Sequence, residues 1–261
     1  MANAVKKVNG IAIADIKKIS GIANADIKEL NGLEFTSALT PAALQLDGDG
    51  DYLTLTHASA FDFGTGSFTL EGWFLTERDN ASSPTSGWRG LFGIVGPAGN
   101  IWLRHNSEAI EWNWGAGIDF TSSNSQTVGN WFHAAFVQNG TTSTIYIDGT
   151  SGGTDTRTSG FADASAMTIG ASYSGTADWE GYIDEIRISD NARYTGNFTP
   201  STSEFTTDNN TIVLLHMNGD NDGTTFTNSA AGDAAVDVTI GVVDGAHTDT
   251  SYGIGTGNAP S

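Results

Sequence analysis

From about residue 42 onward, apolar residues recur at alternate positions in short runs separated by glycine-containing turns, the period of a pleated strand. Leu44 and Leu46, then Leu53 and Leu55, flank the polar turn DGDGDY (47–52). SFTLEGWFL (67–75) is apolar on both faces, as an inner strand of a two-sheet stack should be. IWLRHN (101–106), AIEWNW (109–114), WFHAAFV (131–137) and STIYID (143–148) continue the pattern, and Asp148–Gly149 marks a hairpin turn. MTIGA (167–171), GYIDEIRIS (181–189) and TIVLLHM (211–217) follow, VDVTIGVV (236–243) can make one more strand, and a single helical turn is expected at NARYTG (191–196). Short strands at close spacing with glycine turns predict an all-β chain folded as a two-sheet antiparallel jelly-roll sandwich.

The first 37 residues follow another rule. VNGIAIADIKK (8–18) aligns with ISGIANADIKE (19–29) at seven of eleven positions, and a third copy begins at LNGLEF (30–35). Each copy has glycine third (Gly10, Gly21, Gly32) and apolar residues at fixed offsets: Val8, Ile11 and Ile16; Ile19, Ile22 and Ile27; Leu30 and Leu33. An eleven-residue period suits a right-handed helical supercoil. A glycine in every turn costs such a helix about 1 kcal/mol relative to alanine. The Asn-Gly and Ser-Gly pairs read better as tight turns between short extended segments or single helical turns. So thin a unit cannot bury its own apolar side chains. Val8, Ile11, Ile16, Ile19, Ile22, Ile27 and Leu30 therefore predict an arm for docking or oligomerisation; a loose linker is the alternative. The expected division is an arm at 1–37, a sandwich at 38–229, and a strand with an extended tail at 230–261.

Composition narrows the function. The chain of 261 residues carries a charge of −19. All five lysines fall within the first 28 residues; against Asp15, Asp26, Glu29 and Glu34 they leave the arm at +1 and the rest at −20. Phosphate backbones are repelled by such a body, so no nucleic-acid partner is expected. No apolar run approaches the roughly 18 residues of a membrane span, and no signal peptide is visible. Without cysteine there are neither disulfides nor thiolate metal sites, and the five histidines never form closely spaced pairs. No G-x-S-x-G, H-E-x-x-H or phosphate loop occurs. Glu108 and Glu111 are three apart, so on a strand they point to opposite faces and cannot flank one bond. The chain is not expected to be an enzyme.

LQLDGDGDYL (44–53), GTGSFTLEGWF (64–74), GNWFHAAFV (129–137), TIYIDGT (144–150) and YIDEIRISDNARYTGNFTP (182–200), in that order, resemble the laminin-G-like branch of the concanavalin A-type jelly rolls, in wording closest to bacteriophage tail and virion proteins. The resemblance covers about 42–217. It implies a virion structural protein (tail fibre, head fibre or capsid decoration) that displays the sandwich at the virion surface for adhesion to host-surface glycans. Other virion proteins would bind the arm, and the chain would form a homo-oligomer, a trimer by analogy with fibres. A bacterial carbohydrate-binding module and a divergent glycan hydrolase are the alternatives. The resemblance also implies a structural calcium (Ca2+) site joining Asp184 on the last strand to Asp47, Asp49 or Asp51 near the first. On the residues alone, DGDGDY sets closely spaced carboxylates on a freely turning backbone, which suits a hard cation or an ordinary turn. Alternation along GYIDEIRIS places Asp184 on a core face with Tyr182, Ile186 and Ile188, where it needs a cation, an arginine or backbone amides. Asp220, Asp222 and Asn218 read as a turn or a small oxygen cage. Trp73, Trp131 and Trp179 are expected in the core. Trp88, in a loop, with Trp102 and Trp114 on strands, are the candidates for stacking on a sugar. Glu111 and Asn113 stand ready to bond hydroxyls, and the alternative places Trp112 and Trp114 in the core.

Because no lysine lies beyond Lys28, lysine-specific proteolysis should trim the arm and leave a fragment beginning at Glu29. That fragment should still melt cooperatively; rapid global unfolding after the cut would deny the sandwich its independence.

Overall fold

The structure is a computed structural model of the chain. It describes residues 42–253 except 57–58, 60, 78–87, 96–98, 105–108, 115–117 and 158–165, with only the backbone course at 99–104, 114, 118 and 119. In the arm it describes six two-residue strands, again as backbone alone. No helix occurs among the described residues, so none is long and apolar enough to cross a membrane. The turn expected at 191–196 is irregular loop.

The arm strands pair as three antiparallel hairpins: β1 (Lys7–Val8) with β2 (Ile11–Ala12), β3 (Lys18–Ile19) with β4 (Ile22–Ala23), and β5 (Glu29–Leu30) with β6 (Leu33–Glu34). In each, the innermost paired residues are Val8 and Ile11, Ile19 and Ile22, or Leu30 and Leu33. The pairings recur at the period of the repeat, and the Asn-Gly and Ser-Gly pairs read as turns lie outside the described residues. Ile16 and Ile27 lie outside the described residues.

The body is a second unit, Pro41–Ser261. Its strands are β7 (Ala43–Asp47), β8 (Tyr52–Thr56), β9 (Phe68–Thr76), β10 (Trp88–Val95), β11 (Gly99–Arg104), β12 (Ala109–Trp114), β13 (Ile118–Ser125), β14 (Trp131–Asn139), β15 (Thr142–Ile147), β16 (Thr150–Thr156), β17 (Ala166–Ile169), β18 (Glu180–Ser189), β19 (Thr211–Leu215), β20 (Thr239–Val243) and β21 (His247–Asp249). One sheet runs β13-β12-β11-β10-β17-β8-β20, and the other β16-β15-β14-β9-β18-β7-β21, with β19 also paired to β18. Every pairing is antiparallel. The chain is thus a jelly-roll sandwich, in which β20 and β21 give each sheet an edge strand. At Asp148–Gly149 both residues have positive φ (50° and 72°), as a two-residue hairpin requires.

The sheets close on a core that includes Leu44, Leu53, Leu70, Phe74, Phe92, Trp112, Phe136, Trp179 and Ile183. Phe74 meets Trp179 and Phe92 edge-on at 5.5 and 5.8 Å, and Trp112 stacks on Phe136 at 4.2 Å. The eight-stranded sheet has a second apolar layer behind it, where Trp73, Leu75, Trp131, Tyr182, Phe205 and Leu214 pack. This explains why β9 is buried at every position.

One expectation fails through a β-bulge. β18 pairs with β9 up to Asp184 opposite Trp73 and resumes at Arg187 opposite Glu71. Glu185, at φ 53°, is the extra residue. Such an insertion reverses which face each later residue occupies. Ile183, Ile186 and Ile188 therefore face the inter-sheet core, while Tyr182 and Asp184 lie on the outer face. The shared core face of Tyr182, Asp184, Ile186 and Ile188 does not exist.

The outer layer is pinned by charge. Glu71, fully buried on β9, accepts hydrogen bonds from Arg187 Nε (2.8 Å) and the Tyr194 hydroxyl (2.7 Å). His133 Nε2 lies 3.3 Å from the same carboxylate, within ion-pair range but not aligned for a hydrogen bond. Arg187 also donates to Thr206 O, and Arg193 grips Asp208 through two nitrogens at 2.8 and 3.0 Å. The loop after β18 is thereby tied to the sheet at both of its ends. Burial pushes the Glu71 carboxyl upward, but His133 and Arg187 outweigh it and lower the pKa from 4.5 to about 2. A carboxylate depressed in the folded state stabilises above its unfolded pKa, and that contribution fades as pH falls through the folded value. Glu71→Gln should destabilise by about 3–5 kcal/mol near neutrality, the usual result of removing one partner of a buried pair. Its deficit against the parent, followed by denaturant unfolding, should shrink by about 3 kcal/mol between pH 6 and pH 2. A constant deficit would mean that Glu71 is not ionised in the fold.

Candidate functional site

The exposed large hydrophobics among the described residues are Trp88 and Tyr173, at 38% and 40%. Both belong to the outer side of the seven-stranded sheet. Trp88 is the first residue of β10, not a loop residue as the sequence suggested. Its indole Nε1 donates to Glu111 Oε2 at 2.9 Å. Ile110 and Trp112 point into the core, so Glu111 takes the opposite face of β12. There it is fully buried and also accepts the Thr121 hydroxyl at 3.2 Å. The register continues the row across the sheet, from Gly90 to Trp102, Glu111 and Thr121. An exposed indole is thus held in one orientation by a carboxylate that solvent does not reach.

Tyr173 comes from the loop 170–178, which crosses β10. Gly90 N donates to Ala177 O at 2.7 Å. A Cβ at Gly90 would strike the backbone of Ala171 and Ser172, and one at Gly93 would strike that of Tyr173. The two glycines let the loop settle against the strand. Ser172, Ser174 and Thr176 form a ring of hydroxyl contacts at 2.9–3.1 Å beside Tyr173. Two exposed aromatic side chains and a cluster of hydroxyls suit a polyhydroxylated ligand, with apolar ring faces for stacking and polar groups at their edges.

The remaining sequence candidates fall as follows. Asn113 is buried beside Glu111 on β12, and Trp112 is a core residue with Arg157 over its ring at 5.7 Å. Trp102 stands opposite Gly90 and Glu111, and Trp114 opposite Gly99; their side chains lie outside the described residues, as does Glu108. Trp179 is in the inter-sheet core, and Trp73 and Trp131 are in the layer behind the eight-stranded sheet. Tyr173 and the Ser172–Thr176 loop were missed. Their only sequence signal is a tyrosine among serine, glycine and threonine in ASYSGTAD (171–178).

The four aspartates expected to share calcium are not brought together. Asp47 is opposite Glu180 on β18, whereas Asp184 is four residues further along and opposite Trp73. That separation is about 13 Å at strand spacing. The loop carboxylates are occupied by backbone amides: Asp47 accepts Asp49 N, and Asp51 accepts Gly245 N and Asp47 N. Asp184 accepts the amide of Glu185. The 218–223 stretch is likewise a turn, with Asp222 N donating to Thr248 O and Asn218 donating to Glu204.

A different set of residues can hold a metal. Glu185, Glu204 and His216 present donor atoms that all lie within 4.8 Å of one another. His216 Nδ1 is 2.7 Å from Glu185 Oε1, and the hydrogen bond to Glu185 holds the imidazole pKa above its usual value despite burial.

Comparison with known proteins agrees with this architecture. Residues 47–196 match the laminin G type of the concanavalin A-like lectin/glucanase superfamily, and the chain belongs to that family. No curated protein sequence matches it. A Bacteroides ovatus protein described as a candidate carbohydrate binding protein is similar in structure at TM-score 0.53 and 14% identity, over 79% of this chain. The chain spans 60% of that protein's length. A heptameric SAP-like pentraxin from Limulus polyphemus follows at TM-score 0.44 and 11% identity (61% of this chain, 81% of that one), and mouse laminin α1 domains LG4-5 at 0.43 and 15% (63% and 48%).

Proposed function

We propose that the body is a glycan-binding module that works through the outer side of its seven-stranded sheet, with Trp88 as the stacking platform and Glu111 as the group that positions it. One observation carries this reading. A large exposed aromatic ring is fixed by a hydrogen bond to a fully buried carboxylate, so little side-chain freedom remains to be lost when a ligand stacks on it. Glu111 is too deep to touch the ligand. Tyr173 and its neighbouring hydroxyls extend the surface. The likeness to a candidate carbohydrate binding protein of Bacteroides ovatus supports the same reading, and equally suits a bacterial carbohydrate-binding module.

The particular setting we favour is the surface of a phage virion, with the arm as the attachment. The wording of the sequence and the eleven-residue hairpin repeat support it. Repeated display also suits a shallow site, since many weak contacts on one particle raise avidity by roughly 10²–10⁴. Three arms around one axis would offer the arm's apolar residues a place to be buried that so thin a segment cannot give itself.

Glycan-array binding and calorimetry should show weak affinity for one class of polysaccharide and no release of reducing ends. Trp88→Ala should weaken that binding about tenfold or more, equivalent to about 1.4 kcal/mol. Trp88→Phe, which keeps a ring but loses the N–H, should fall between. Equal binding by all three proteins would remove Trp88 from the site, and steady glycan turnover would replace the binding reading with a hydrolytic one. Deleting residues 1–36 should yield a folded monomer that retains glycan binding but no longer incorporates into particles. A truncated chain that still assembles would assign attachment to the sandwich.

A further inference from the structure

Behind the eight-stranded sheet, three elements place metal-binding side chains at one point. Glu185 is the extra residue of the bulge in β18 and is 1% exposed. His216 directly follows β19, and Glu204 belongs to the loop tied down by Arg187 and Arg193. Glu185 uses Oε1 on His216 Nδ1 (2.7 Å) and Oε2 on the amide of Phe205 (2.5 Å). Glu204 takes the side-chain amide of Asn218 on Oε1 at 2.6 Å. Two carboxylates thus face one imidazole, and the set is negative even with the imidazole protonated. The nearby Arg187 is directed to Glu71 and Thr206 O instead.

We propose that Glu185, Glu204 and His216 form a binding site for a divalent transition-metal ion of the zinc type, which fastens the 196–206 segment to β18 and β19. The donor set decides the class of ion. One imidazole nitrogen and two carboxylates are ligands that zinc accepts, with at least one position left for water. Calcium needs six to eight oxygens, and a site with an imidazole among three side-chain donors serves it poorly. Two ligands held about 2 Å from one tetrahedral ion stand about 3.3 Å apart, so an ion entering the site opens the 2.7 Å hydrogen bond between His216 Nδ1 and Glu185 Oε1. Glu204 is exposed and can adjust to the ion, whereas Glu185 is fixed in the sheet. Outer contacts that orient metal-binding carboxylates are already present, as the Phe205 amide on Glu185 and the Asn218 amide on Glu204. This site is distinct from the glycan-binding surface and does not depend on that assignment.

The test uses the full chain, freed of any purification tag and stripped with chelator, then titrated with zinc chloride by calorimetry and with cobalt chloride by visible absorption. One zinc per chain is expected, with a rise in melting temperature and a cobalt spectrum of low coordination number. Calcium chloride should bind at least tenfold more weakly. Glu204→Gln, at an exposed position, should leave the circular dichroism unchanged and weaken zinc at least tenfold; His216→Ala should abolish the cobalt spectrum. No zinc uptake by the parent chain overturns the proposal. So does uptake that is the same in the parent and Glu204→Gln, or calcium binding as tight as zinc.

Discussion

A single carboxylate on a central strand organises one side of this molecule. Glu71 stands on β9, a strand covered on both faces, where an ion is tolerated only if every lone pair is answered. The answers come from Arg187 on the neighbouring strand and from Tyr194 on the loop that follows it. Closing this contact lays the loop across the sheet and brings Phe205 and Phe198 over their apolar partners. The same loop carries Glu204 toward Glu185 and His216. The metal-capable cluster is therefore a downstream product of a buried ion pair whose arginine, Arg187, lies two residues beyond Glu185.

The two faces of the sandwich divide the work. The seven-stranded sheet presents its outer side with Trp88 and Tyr173 exposed, and two glycines on β10 allow the Tyr173 loop to lie close. The eight-stranded sheet is sealed by loops, aromatic stacks and paired charges, including Tyr194 against Phe198 at 3.5 Å and Tyr182 against Tyr252 at 3.8 Å. A surface that must stay open to ligand and a surface that must stay shut are thus separated by the thickness of one core. The outward pull of polar groups on one face does not compete with packing on the other.

Much of the fold could be read in advance because it depends on local rules. Apolar residues on both faces marked β9 as doubly covered, and Asp148–Gly149 announced its turn through residues that tolerate positive φ. The failures were of another kind. One inserted residue, Glu185, reversed the phase of β18 and moved Asp184 to the face away from the core, and no local feature of GYIDEIRIS reveals it. Register then set Asp184 apart from Asp47, so a ligand set inferred from resemblance was not assembled. Trp88 was singled out correctly as a surface tryptophan but in the wrong element, because the buried Glu111 that holds it is 23 residues away. Glu185, Glu204 and His216 are spaced 19 and 12 residues apart and meet only through the bulge and the loop.

The pairing of β21 with β7 sets Asp249 opposite Ala43. The first and last strands described in the body are therefore neighbours, with Ala43 and Asp249 side by side. Such a body can be spliced into a surface loop of another protein as a self-contained bead, since the two junctions need only the spacing of adjacent strands. A chain built this way lends itself to being moved between carriers as a unit, with its sheets and its exposed tryptophan undisturbed.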